Sequence, residues 1–121
     1  MFDDKNRYLD KELNPISVRE WGKLFQDTNY RVVDHTQLWW GGEVSTVWLG
    51  LNHQFQPNKA PLIFETMVFD CGRVDLFQDR YTNIETAKLK HKEIVRRFSG
   101  IRYAFLAFFY FIRRIHHKRK E

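Results

Sequence analysis

Cysteine and proline are scarce in this sequence, with one cysteine, Cys71, and three prolines among 121 residues. A single thiol excludes an intrachain disulfide framework and fits a reducing compartment. No phosphate-cradling glycine loop, Walker motif or dinucleotide fingerprint occurs. Gly41, Gly42 and Gly50 serve turns and strand packing instead. The opening "MFDDKNRYLDKE" is charged and lacks the apolar centre of a secretory signal, so a cytoplasmic location is expected. No apolar run is long enough to span a bilayer. The longest, "IRYAFLAFFYFI", gives a helix of about 18 Å against a hydrocarbon core of about 30 Å. Internal repeats and low-complexity linkers are also absent.

What is present is ample material for a core: 43% of residues are apolar and 17% aromatic. That composition argues for a folded domain and against disorder. The length fits a single domain over residues 1–100 followed by an aromatic, helical tail over 101–121 that ends in a basic segment. The net charge of +5 is unevenly held. Residues 84–121 carry eleven Lys/Arg against three Asp/Glu, whereas residues 1–83 carry nine against twelve. The basic character therefore belongs to the C-terminal third, and any electrostatic partner should meet the chain there.

Periodicity orders the chain as α+β: an N-terminal helix, a four-stranded antiparallel meander, and C-terminal helices packed on the sheet. Ser17 followed by Glu20 is a capping-box pattern, and Val18, Trp21 and Phe25 share one helical face, predicting a helix over Val18–Gln26. "YRVVDHTQLWW" reads as a strand anchored by Tyr30, Val32 and Val33, and Trp40–Gly42 as a turn. "EVSTVWLGL", "PLIFETMVFD" and "RVDLFQ" read as three further strands, the first two apolar on both faces. A second helix begins after Thr82 or Asn83. Its stripe is Ile84, Ala87, His91, Ile94 or Val95, and Phe98, and Lys88, Lys92 and Arg96 point outward.

The set "EW" at Glu20–Trp21, "RVV" at Arg31–Val33, "VSTVWLGLNH" with Phe55, "PLIFETMVF" and "RYTNIETAKLKH" resembles one uncharacterised small protein family of bacteriophages, prophages and some bacterial genomes. The likeness is collinear from about Glu20 to His91. It coincides with the family pattern at Thr46, His53, Glu65, Thr66, Arg80, Tyr81 and His91. No activity is attached to that family, so the resemblance implies a context and no mechanism. The aromatic tail after Gly100 departs from the pattern.

Two residues raise a chemical question on their own. His91 interrupts the apolar stripe of the second helix, so it faces the sheet. Glu65 lies inside "LIFETMVF" between apolar neighbours, where an unpaired carboxylate would be costly. With the residues the resemblance adds, they make a candidate polar cluster of Glu65, His91, Arg80, His53, Thr46 and Tyr81. Such a cluster serves either as an acid–base or ligand site, or as a structural network that sets the helix on the sheet. A metal face of His53, Glu65 and His91 lacks any short ligand spacing, and no general base marks Cys71 as a nucleophile. No metal, catalytic residue or cofactor is expected. Trp39, Trp40, Trp48 and Tyr30 read as core aromatics in preference to a base-stacking platform.

The leading expectation is a small phage-type accessory protein that acts by binding, modulating a host protein or defence system, with a host or phage protein as partner in the host cytoplasm. The alternatives are a nucleic-acid-binding module that uses Arg113, Arg114, Lys118, Arg119 and Lys120, and an enzyme or small-ligand protein with a Glu65/His91 pocket. An enzyme is the less favoured class. Residues 101–112 are expected to pack on the domain or self-associate, with a membrane-interface anchor flanked by basic residues as the less favoured reading.

Overall fold

The computed structural model describes residues 7–120, and within the last helix it describes the backbone alone for residues 106 and 117–120. Elements follow in the order α1 (Val18–Gln26), α2 (Thr28–Arg31), β1 (Val32–Gln37), β2 (Glu43–Trp48), β3 (Phe64–Phe69), β4 (Asp75–Tyr81), α3 (Ile84–Arg97), a 3₁₀ turn (Ile101–Tyr103) and α4 (Ala104–Lys120). The strands form one antiparallel sheet in the order β1-β2-β3-β4, the expected meander. The fold is α+β, as the periodicity predicts.

Local chemistry accounts for the boundaries. At α1 the Ser17 hydroxyl accepts from the Glu20 N–H at 3.1 Å and also bonds the Glu20 carboxylate at 3.3 Å, so the box closes side chain to side chain. Asp27 caps the next turn by accepting from the Asn29 and Tyr30 N–H groups. Tyr30 thus lies in a helical turn and not in the expected strand, which begins two residues later at Val32. β2 stops before Gly50, whose φ of 72° lies in the left-handed region. Asn83, one of the two expected caps, accepts from the Thr86 N–H to start α3.

α3 packs on one face of the sheet through Ala87, His91, Ile94 and Phe98, all buried, with Ile84 and Val95 half-buried. Lys88, Lys92 and Arg96 point outward as expected. Under α3 the apolar core falls into two clusters. One holds Leu9, Trp48, Ile63, Phe64, Tyr81 and Ala87, and half-buried Trp21 and Phe25 of α1 pack against it. The other holds Leu38, Trp40, Val44, Val68, Ile94 and Phe98. Burying a side chain of this size contributes roughly 1.5–3 kcal/mol, which is why two compact clusters suffice to hold the helix.

All four tryptophan N–H groups donate to backbone carbonyls: Trp21 to Leu49, Trp39 to Ser99, Trp40 to Phe98 and Trp48 to Leu9. Trp40 and Trp48 are core and Tyr30 meets Trp48 edge to face, while the Trp39 ring is 62% exposed. The core reading therefore holds for these aromatics except Trp39. The last helix, α4, meets the body at its start, where Ala107 packs on the second cluster and the Tyr110 ring lies over Gly72.

Candidate functional site

The two apolar clusters under α3 are separated by a polar layer. Thr46 on β2 and Thr66 on β3 stand directly opposite in register, and their hydroxyls bond at 2.6 Å. His91 reaches down from α3 to this pair, with Nδ1 at 2.7 Å from the Thr46 hydroxyl. Its Nε2 lies 2.9 Å from the Thr36 hydroxyl on β1 and 3.7 Å from a carboxylate oxygen of Asp34. The ring is only 1% exposed, so both nitrogens find their partners inside the protein. Burial pushes the His91 pKa below its ordinary value. Asp34 opposes that fall, and His35 adds to it.

The Tyr81 hydroxyl is buried beside this layer. Burial raises its pKa and Thr66 offsets part of that rise, and the hydroxyl has no hydrogen-bond partner among the described residues. The layer takes Asp34 and Thr36 from β1, Thr46 from β2, Thr66 from β3 and His91 from α3. The layer therefore ties β1, β2, β3 and α3 together.

Glu65 lies on the other side of the sheet. Successive residues of a strand point to opposite faces, so with Thr66 under α3 the Glu65 side chain emerges on the far face. There Arg80, its direct cross-strand neighbour on β4, donates Nε–H at 3.0 Å, and Gln78 donates at 2.7 Å. The carboxylate is 8% exposed and well paired. His53 is half-buried, and burial lowers its pKa. Arg80 lowers it further and Glu65 raises it, so both charges act on the ring.

A second carboxylate, Glu43, sits on the same face and pairs with His35 at 3.1 Å and with Arg73. Gln37 donates to it at 3.3 Å. Burial alone would raise the Glu43 pKa, but the His35 hydrogen bond and the Arg73 charge bring it below the usual carboxylate value.

The expected single cluster is therefore two clusters divided by the sheet. Thr46 and His91, with Tyr81 beside them, belong to the covered face, and Glu65 and Arg80, within reach of the His53 charge, belong to the open one. A shared Glu65/His91 pocket and a His53/Glu65/His91 metal face are both ruled out by that alternation. Among the described residues no group of three metal-ligating side chains converges. Thr36, Asp34, Gln78, His35 and Glu43 are the polar neighbours that sequence reasoning missed. Of these, strand register could have pointed to Asp34, which stands opposite Thr46. Cys71 donates its S–H to the Trp40 carbonyl, and burial followed by the Asp70 charge raises its pKa, which disfavours the nucleophilic thiolate.

No helix packs on the open face among the described residues. α3 covers the opposite one, and α4 sits at the β3–β4 turn. The open face carries Ser45, Val47 and Met67 at its centre, flanked by the Glu43 and Glu65 ion pairs. It is thus far more polar than the two-sided apolar strands suggested. Arg113 and Arg114 on α4 are exposed, while the side chains of Lys118, Arg119 and Lys120 lie outside the described residues. No family model, curated protein or solved structure matches the chain.

Proposed function

We propose that this chain is a small accessory protein that acts by binding a protein partner and carries no chemistry of its own. The observation that supports this best is the open sheet face. It combines a shallow apolar centre of Val47 and Met67 with two ion pairs, the composition of a polar-rimmed recognition surface. The groups best suited to catalysis are committed elsewhere. The His91 ring is 1% exposed with both nitrogens bonded, so it neither reaches a substrate nor exchanges protons freely with solvent. The partner we propose on the resemblance to a phage-associated family is a host protein, with components of host defence among the candidates.

The test is capture of partners from host lysate by the full-length protein, followed by titration of the purified partner. Ser45→Arg places a long cation in the middle of the open face without breaking either ion pair. It should abolish binding, and Phe108→Ser on α4 should leave it intact. Failure to isolate a saturable partner, or binding indifferent to Ser45→Arg, refutes the reading.

A second reading has its own observation. Eight Lys/Arg and no carboxylate lie between Glu93 and Glu121, the charge balance of a nucleic-acid-binding segment. Binding to duplex DNA or RNA whose affinity falls linearly in log–log form with salt would support it. Affinity that is flat with salt would remove it.

A further inference from the structure

We infer that α4 docks on an anionic phospholipid surface, lying along its headgroup region with one aromatic face toward the lipid. At 3.6 residues per turn, Ala107, Tyr110 and Arg114 share one side of α4, and this is the side that meets the body at the second core cluster and at Gly72. Phe105, Phe108, Phe109, Phe111, Ile112 and Ile115 spread over the rest. They are 64%, 58%, 59%, 59%, 46% and 37% exposed. At about 200 Å² per large apolar side chain, the stripe presents roughly 600 Å² of hydrocarbon, at the upper end of what monomeric proteins leave uncovered.

Charge selects the occupant. Arg96, Arg97 and Arg102 stand before the stripe, Arg113 and Arg114 close its far end, and Lys118, Arg119 and Lys120 follow, with no Asp or Glu between Glu93 and Glu121. A second copy fits this poorly. An antiparallel pair of α4 helices brings each basic end against the partner's Arg102 and α3 terminus, and a parallel pair stacks Arg113 on Arg113. The acidic groups of a second copy's open face are already spent, Glu43 on Arg73 and Glu65 on Arg80.

A nucleic-acid backbone would gain from the cations but would lie against a face of six hydrocarbon side chains. An anionic bilayer uses both features, because acyl chains take the rings while the headgroup phosphates and carboxylates take the guanidinium and ammonium groups. No helix among the described residues is long and apolar enough to cross a membrane, so α4 lies on the surface and does not span it. The sequence alone favours packing or self-association for this segment over a membrane interface; the exposure of its aromatic face turns the balance. This surface is separate from the open sheet face, and either can fail without the other.

The test is co-sedimentation of the full-length protein with phosphatidylcholine vesicles and with vesicles that also contain phosphatidylserine. Binding to the mixed vesicles should weaken as salt rises and be at least about tenfold stronger than to the neutral ones. Phe108→Ser/Ile112→Ser should lose it, and Arg113→Glu/Arg114→Glu should weaken it by about tenfold or more. Both double variants change exposed side chains, so an unaltered thermal midpoint separates lost docking from lost folding. Equal binding to both vesicle types overturns the charge argument, and no vesicle binding overturns the whole inference. Two further outcomes would also overturn it: a dimer that Phe108→Ser/Ile112→Ser dissociates, or salt-sensitive DNA binding without vesicle binding.

Discussion

His91→Leu tests whether the layer beneath α3 is structural. Leucine removes both ring bonds, to Thr36 at 2.9 Å and to Thr46 at 2.7 Å. Thr46 keeps Thr66 as a partner, and Thr36 is half-buried and within reach of water, so neither hydroxyl is fully stranded. The expected loss near neutral pH is therefore about 1–3 kcal/mol, toward the lower end of what an orphaned buried group costs. The pH dependence is more diagnostic. The folded pKa of His91 lies below the unfolded value, with burial as the main cause. The unfolded chain thus takes up the proton first as pH falls.

The neutral ring's contribution is whole above about pH 6.5 and is lost from there down to the folded pKa, at up to about 1.4 kcal/mol per pH unit. The gap between wild type and His91→Leu in urea unfolding should consequently narrow as pH drops below about 6.5. His53 is also shifted downward but is present in both proteins, so its effect cancels. Asp34→Asn removes the charge that supports the imidazolium and should steepen the wild-type decline. Parallel stability curves for wild type and His91→Leu would refute the burial argument. An Asp34→Asn curve no steeper than wild type would refute the assigned role of that carboxylate.

Phe98→Ala should destabilise by about 3–5 kcal/mol in chemical denaturation, because its ring is 4% exposed and lies between Phe77 and Tyr103. Glu65→Leu should cost about 1–2 kcal/mol, since Arg80 loses a partner but keeps access to water, and Glu65→Gln should cost less. Because the sheet separates them, Glu65→Leu and His91→Leu should add to within about 0.5 kcal/mol, and a larger coupling in the double mutant would contradict the split of the two clusters. Gly50→Ala should cost at least about 1–2 kcal/mol by calorimetry or urea unfolding, from its φ of 72° and from a Cβ set 2.4 Å from the Trp48 ring and 2.5 Å from the Trp21 ring.

Element types were legible where one signal dominated. The Ser17–Glu20 box and the spacing from Ala87 to Phe98 each placed a helix, and the Gly41–Gly42 turn separated β1 from β2. Tyr30 was misread because β-propensity favoured a strand, while the Asp27 cap, a one-turn local effect, won in the structure. Of the two partners expected for Glu65, Arg80 is the one it meets, and His91 was misassigned for a different reason. β3 reads "FETMVF", with large apolar residues at both parities, so alternation did not reveal which face the helix covers. Burial of both residues was inferred correctly. The side of the sheet was not, because that depends on register with β4 and on where α3 lands, neither of which is a local property.

The position of the threonine–histidine layer explains why a small core spends three polar residues at its centre. Val44 and Val68 lie on one side of it and Trp48 and Phe64 on the other, each two residues along its strand from Thr46 or Thr66. Sliding α3 by one turn in either direction would press the His91 ring into an apolar cluster and leave its nitrogens and the Thr46 and Thr66 hydroxyls to lose partners. Each orphaned group would cost about 1–3 kcal/mol. Apolar contacts alone discriminate weakly among such positions, because an aliphatic or aromatic side chain accepts many neighbours of similar volume. The layer thus sets the seating of the helix, and the same sheet then fixes what its other face presents. The same register that sets Thr46 opposite Thr66 sets Glu65 opposite Arg80 on the other face, so one strand alignment serves both the covered layer and the open-face ion pair.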